Sequence, residues 1–245
     1  MARERYLLVD GIRGLAVVNM VVYHFLYDVY VVCGLNPRWY ALPAVHIWQQ
    51  GGCWIFILIA GFSWCLGRRH NLRRGLLLNV YGLVITVVTL IAVPSEAIWF
   101  GVLNFIGCAI LLTIPLDKLL SKIPGWLGLA LSFILFFLFR STQQGYLGFG
   151  SLELLQLPLS LYTKLTTPLG FPHAGFRSSD YFPLLPWFCL FLAGYFFYSI
   201  FITRESWKKA SCRRVPLLSS IGQKSIWIYL IHQPLCMLIS MVLFG

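Results

Sequence analysis

His24 and Asp28 stand one helical turn apart in the stretch RYLLVDGIRGLAVVNMVVYHFLYD. A carboxylate at that spacing fixes the tautomer of an imidazole and raises its basicity, as the orienting partner of a general base does. Asp10 and Arg13 precede them in the same apolar segment. At ~100° per residue with Arg13 at zero, His24 falls at ~20° and both Asp10 and Asp28 at ~60°, so the four share one narrow stripe of a helix. Arg13 and His24 are about 16 Å apart along the axis. In a membrane such a stripe must face protein or water, because ionised groups are strongly disfavoured against lipid. A lone intramembrane histidine serves equally well as a hydrogen bond between helices. The carboxylate and guanidinium on the same stripe favour chemistry over that reading.

The last apolar segment, SIGQKSIWIYLIHQPLCMLIS, repeats the pattern. With Ser225 at zero, Tyr229 lies at ~40°, His232 at ~340° and Cys236 at ~20°, and His232 sits about 15 Å from the cytoplasmic end. Pro234 beyond it frees backbone carbonyls; a kinked packing helix with a satisfied histidine is the alternative. Asn104 lies between Gly101 and Gly107 in WFGVLNFIGCAILL, where an interhelical hydrogen bond is the simpler role. Asp180 in SSDYFPLLPWF precedes Pro183 and Pro186 at a helix start and could form the rim of an acceptor site. RRHNLRR reads as a positive-inside anchor, with a second use as a phosphate-binding patch beside Arg13. His46 and His173 fall in outer connections; His46 remains a candidate because its loop lies at the outer end of the first stripe. No GxGxxG, Walker A, HExxH or GxSxG pattern occurs, and the seven cysteines lack metal-ligand spacing.

The elements that must position these residues are membrane spans. Of 245 residues, 59% are hydrophobic and 11% charged, and the mean hydropathy is +0.78, far outside the balance of a soluble domain. A span needs about 20 apolar residues, and seven segments qualify, at roughly 11–33, 50–67, 75–93, 98–116, 125–140, 183–203 and 222–244. No polar linker separates them, so one domain, 1–245, is expected: an all-α polytopic transmembrane bundle. The net charge of +11 falls in short clusters between the spans rather than along one face, which argues for topology signals and against nucleic acid. Seven spans put fifteen of the nineteen Lys and Arg residues on one side, so the N-terminus is expected in the cytoplasm. The 141–182 connection, with SLELLQLPLSLY, is too short for a span and too apolar for a free loop; either a re-entrant or interfacial segment or an ordered cap over the bundle is expected there.

VDGIRGLAVVNMVVYHF resembles the first helix of the polytopic transmembrane acyltransferases, in which an Arg followed eleven residues later by a His recurs; here these are Arg13 and His24. IFILIAGFSW, FGVLNFIG, DYFPLLPWFCLFLAG and IGQKSIWIYLIHQPL resemble, in order, the family named for the catalytic domain of heparan-alpha-glucosaminide N-acetyltransferase, in its short prokaryotic form. The resemblance implies transfer of an acetyl or other short acyl group from cytosolic acetyl-CoA (acyl-CoA) to an amine or hydroxyl of a sugar or glycan on the other side of a bacterial inner membrane. Asn104 stands where many relatives have a His. The animal lysosomal relative carries its key His in the first luminal loop, so His24 and His46 compete. On this reading His24, Asp28 and His232 are catalytic, and Arg13, Asp10, Lys224 and Ser225 hold the acyl donor. Asn104, Asp180, Trp187, Tyr229, Gln233 and His46 meet the acceptor or the oxyanion, and no metal is needed. Membrane lipids, acyl-CoA and the glycan are the partners, and a homodimer is compatible with them. The competing class is a transporter or flippase using the Asp10/Arg13/His24/Asp28 stripe as a proton or substrate path, although no internal repeat relates the two halves of the chain. A haem ligated by His24 and His232 is the third possibility.

Overall fold

In the computed structural model, residues 6–213 and 215–245 are described; Arg3, Arg5 and Arg214 of the basic clusters lie outside them. Seven helices among the described residues are long and apolar enough to cross a membrane: Leu7–Val32, Pro43–Leu66, Arg68–Ala92, Val102–Leu120, Gly125–Gln144, Leu184–Phe201 and Ser225–Phe244. They overlap the seven expected segments one for one, and the chain is an all-α polytopic integral membrane protein. Its lipid-facing surface is written in residues such as Leu72, Leu83, Ile91, Leu235 and Val242, which are large, apolar and exposed. In hydrocarbon a helix satisfies its backbone groups internally, so this surface needs no polar cover.

The chain forms two compact units. The first takes residues 1–59 and 201–245. It holds α1 (Leu7–Tyr27), which continues through a π-helical turn over Asp28–Val32, and the start of α2 (Pro43–Leu66). It also holds α7 (Glu205–Ser211), α8 (Pro216–Gln223) and α9 (Ser225–Phe244). α1 packs on both α8 and α9. The α1–α8 contact is a backbone crossing at glycine: a Cβ at Gly222 would meet the Asp10 carbonyl oxygen and lie 2.9 Å from the Gly14 nitrogen. Small residues permit such approaches where lipid supplies no hydrophobic drive. Gly222→Val is therefore expected to cost about 3 kcal/mol or more, by overpacking against backbone that cannot yield. Gly51→Ala, in a helix with open space around its Cα, should stabilise by about 0.5–1 kcal/mol. Unfolding midpoints in detergent separate the two.

The second unit takes residues 60–200: the end of α2, α3 (Asn71–Ala92), α4 (Val102–Leu120), α5 (Gly125–Leu138) and α6 (Leu184–Phe201). α3 packs on α4 through Gly75, Gly82 and Gly107, where a Cβ at Gly75 would meet the Leu111 side chain at 2.7 Å. The 141–182 connection contains an antiparallel hairpin, β1 (Tyr146–Phe149) and β2 (Leu152–Gln156), followed by single 3-10 turns. No α-helix falls within it among the described residues, so it carries no re-entrant helix.

Two of the shifted boundaries bear on the candidate residues. α2 begins at Pro43, seven residues before the expected start, because proline is favoured at the first helical position and the Gln49–Gly52 polar stretch interrupts apolarity without interrupting the helix. His46 therefore lies in the first turns of α2, exposed, rather than in a loop. The last expected span is the single helix α9, which starts at Ser225 because the chain breaks at Lys224 (φ −101, ψ 10) and leaves Gly222 and Gln223 in α8.

Candidate functional site

The His24–Asp28 end of the stripe on α1 faces α9. His24 and His232 meet ring to ring, with centroids 5.0 Å apart and planes inclined by 64°. Asp28, fully buried, turns to the neighbouring residue of α9: its two carboxyl oxygens accept the Gln233 Nε2 amide at 3.1 and 3.4 Å. The expected His24–Asp28 couple is thus replaced by two cross-helix pairs, His24–His232 and Asp28–Gln233. The cause is local, since the α-helical register gives way to a π turn at Asp28, a feature concentrated at functional sites. α9 presents its polar residues at helical spacing, with His232, Cys236 and Ser240 all buried along one face.

His232 has a defined tautomer. Its Nδ1 lies 2.6 Å from the Tyr229 carbonyl oxygen, and a carbonyl only accepts, so Nδ1 carries the hydrogen. In the neutral ring Nε2 then holds the lone pair. Among the described residues that buried Nε2 has no hydrogen-bond partner, and neither do the buried Gln233 Oε1 and Tyr23 hydroxyl. Buried polar atoms are nearly always satisfied, so two unmatched acceptors and one unmatched hydroxyl in one unit indicate a place for a polar ligand. Tyr229 contributes its backbone carbonyl, and its ring stands 5.3 Å from that of His232.

Tyr23 escaped the sequence reading. It neighbours His24, with ring centroids 5.7 Å apart, and it packs against Trp39 and Trp48 at 5.7 and 5.6 Å. Trp48 donates to Asn19 Oδ1 at 2.5 Å. A tyrosine in an apolar segment ordinarily reads as part of an interfacial belt; the adjacent histidine in VVYHF is the only signal that sets this one apart.

Toward the other end of α1, the Arg13 guanidinium donates to Asp10 Oδ1 at 2.8 Å. Asp10 is buried and adjoins Gly222 of α8 through its carbonyl, two residues before Lys224. Lys224 is exposed and Ser225 opens α9. Asp10, Arg13, Lys224 and Ser225 thus gather where α1 meets the α8–α9 break.

The remaining candidates lie in the second unit, and each has a partner there. Asn104 Nδ2 donates to the Asn79 carbonyl at 3.3 Å, and Asn79 in turn donates to the Gly75 carbonyl, an interhelical bond of the expected plain kind. Asp180 accepts the Val102 N–H at 3.1 Å, placing a carboxylate at the N-terminus of α4, where backbone donors are otherwise unmatched. Trp187 is buried against Phe136 and Phe182. A further cluster went unnoticed in the sequence: Asp117 takes hydrogen bonds from Arg68 at 3.0 Å and from the Tyr195 hydroxyl at 2.7 Å. One arginine of RRHNLRR is thereby tied to α4 and α6.

No curated protein and no solved structure is significantly similar to the chain. The family described as heparan-alpha-glucosaminide N-acetyltransferase, catalytic, matches residues 5–234, a stretch that includes Tyr23, His24, Asp28, Tyr229, His232 and Gln233. The chain belongs to this family of membrane acetyltransferases.

Proposed function

We propose that the chain works as one acyltransferase domain, moving an acetyl group from acetyl-CoA to an amine or hydroxyl of a sugar acceptor. The thioester reaches the site from the cytoplasmic end, marked by the N-terminus and the basic clusters, and the acceptor from the outer face of a bacterial inner membrane. The observation that carries the reading is the pair of imidazoles with one buried, unmatched lone-pair nitrogen, His232 Nε2. A family whose name specifies N-acetyl transfer to a glucosaminide favours an amine as acceptor.

In this account His232, held by the Tyr229 carbonyl, takes the proton from the acceptor as its nitrogen or oxygen attacks the thioester carbon; His24, ring to ring with it, shares the charge that develops. Gln233, fixed through its amide nitrogen by Asp28, offers Oε1 to an acceptor N–H or O–H. The Tyr23 hydroxyl donates to the carbonyl oxygen as it becomes an oxyanion. The C–S bond then breaks, the amide or ester forms, and coenzyme A leaves as the thiol with the proton that His232 collected. Arg13 and Lys224 meet the donor's phosphates, with Asp10 fixing the Arg13 fork.

The test is release of coenzyme A by the purified protein supplied with acetyl-CoA and a glucosamine-terminated acceptor. Equal amounts of free coenzyme A and acetylated acceptor are expected. Accumulation of the sugar in proteoliposomes under a proton gradient, with acetyl-CoA untouched, would instead identify a transporter.

A further inference from the structure

The second unit carries a cleft of about 290 Å³ lined by Gln143, Pro172, Phe176, Arg177, Ser178 and Tyr181. Acyl transfer as proposed above makes no use of it. Its walls are fixed by their own bonds. The Tyr181 hydroxyl donates to the Thr167 carbonyl at 2.6 Å, and burial raises that phenol above its ordinary pKa. The Phe176 ring stands edge-on to Tyr181 at 4.9 Å. Ser178 accepts the Trp99 N–H at 2.9 Å and lies 3.0 Å from the Trp99 and Asp180 carbonyl oxygens. The segment beyond is zipped to residues 96–102: Phe182 N–H donates to the Phe100 carbonyl at 2.9 Å, and the Ser179 hydroxyl donates to Glu96 at 2.6 Å. Phe100 itself is held at φ +55, a left-handed conformation that a phenylalanine keeps only when its surroundings enforce it.

Against this rigid frame, two polar side chains of the lining are unengaged. The Arg177 guanidinium and the Gln143 amide are exposed, and neither has a hydrogen bond or ion pair among the described residues. No carboxylate lines the cleft; Asp180 and Glu96, which bond to the segment beside it, are committed to the Val102 N–H and the Ser179 hydroxyl.

We propose that this cleft binds a single sugar ring bearing a carboxylate, sulfate or phosphate. The guanidinium is a planar fork matched to such anions. The amide supplies one donor group and one acceptor, as ring hydroxyls require. Phe176 and Tyr181 offer aromatic surface to the apolar C–H face of the ring, and the volume lies at the lower limit of small-molecule sites, which suits one ring rather than a chain. A neutral sugar leaves the guanidinium unmatched, and a bare anion leaves the aromatic walls unused.

The full chain, purified in detergent, is titrated by calorimetry and saturation-transfer NMR with glucuronic acid and glucose 6-phosphate, with glucose as the uncharged control and inorganic phosphate as the bare anion. The charged sugars should bind about tenfold or more tightly than glucose, as a charge-assisted hydrogen bond provides. Arg177→Ala should reduce them to the glucose level, and Phe176→Ala should weaken all the sugars together. Four results overturn the proposal: glucose binding as well as the charged sugars, an indifferent Arg177→Ala, phosphate binding as tightly as glucose 6-phosphate, or displacement by phosphatidylglycerol vesicles but by no sugar. Arg177 is exposed, so its variant should fold. Because binding is measured and not turnover, the outcome is independent of whether the histidine pair transfers acetyl groups.

Discussion

His232→Ala should lower kcat for acetyl transfer by about 10²- to 10⁴-fold, the range associated with loss of a general base. The side chain is 7% exposed, so alanine also leaves a cavity, and a slow enzyme could simply be a poorly folded one. His232→Gln separates the two causes. Glutamine nearly preserves the volume and can still donate to the Tyr229 carbonyl, but it brings no basic nitrogen. It should unfold close to the wild-type midpoint and turn over as slowly as the alanine variant. Turnover within threefold of wild type in the glutamine variant would remove His232 from the chemistry.

Asp28→Ala should act on the acceptor rather than on the proton transfer. It deletes both acceptors of the Gln233 amide from a fully buried position, and an unmatched buried donor costs about 1–3 kcal/mol. The expected result is a fall in kcat/KM for the acceptor of about 10- to 100-fold, with the KM for acetyl-CoA unchanged. Gln233→Leu should reproduce it. Asp28→Asn keeps an oxygen for Gln233 and should recover most of the loss. If the asparagine variant is as impaired as the alanine variant, the carboxyl group itself is needed and the role assigned through Gln233 is incorrect.

The sequence revealed most where a rule of periodicity acts within one helix. The 100° step placed Asp10, Arg13, His24 and Asp28 on a single stripe of α1, and Tyr229, His232 and Cys236 on a single stripe of α9, and in the structure the two stripes meet at His24 and His232. What periodicity could not supply was the pairing. Asp28 lies one turn from His24 along the chain, yet it bonds across to Gln233 because the helix changes register at that residue, a change with no proline or glycine to announce it. The hairpin in 141–182 was hidden for a similar reason. Its strand LELLQ, exposed at every position, lacks the alternation that marks a half-buried strand. Asn104 and Asp180 were noticed as polar residues in apolar surroundings, but an interhelical bond and a helix N-terminus were already enough to explain them. Tyr23 passed unremarked because an interfacial tyrosine is ordinary; in the structure its buried hydroxyl has no hydrogen-bond partner among the described residues.

The central claim is that His24 and His232 act as one device on the acyl group. The most direct measurement is kcat for His24→Ala, His232→Ala and the double variant, each with saturating acetyl-CoA and acceptor. Groups that act as a unit are strongly non-additive, so the double variant should be no slower than the slower single variant. Multiplication of the two losses in the double variant, or full turnover in either single variant, would contradict the account.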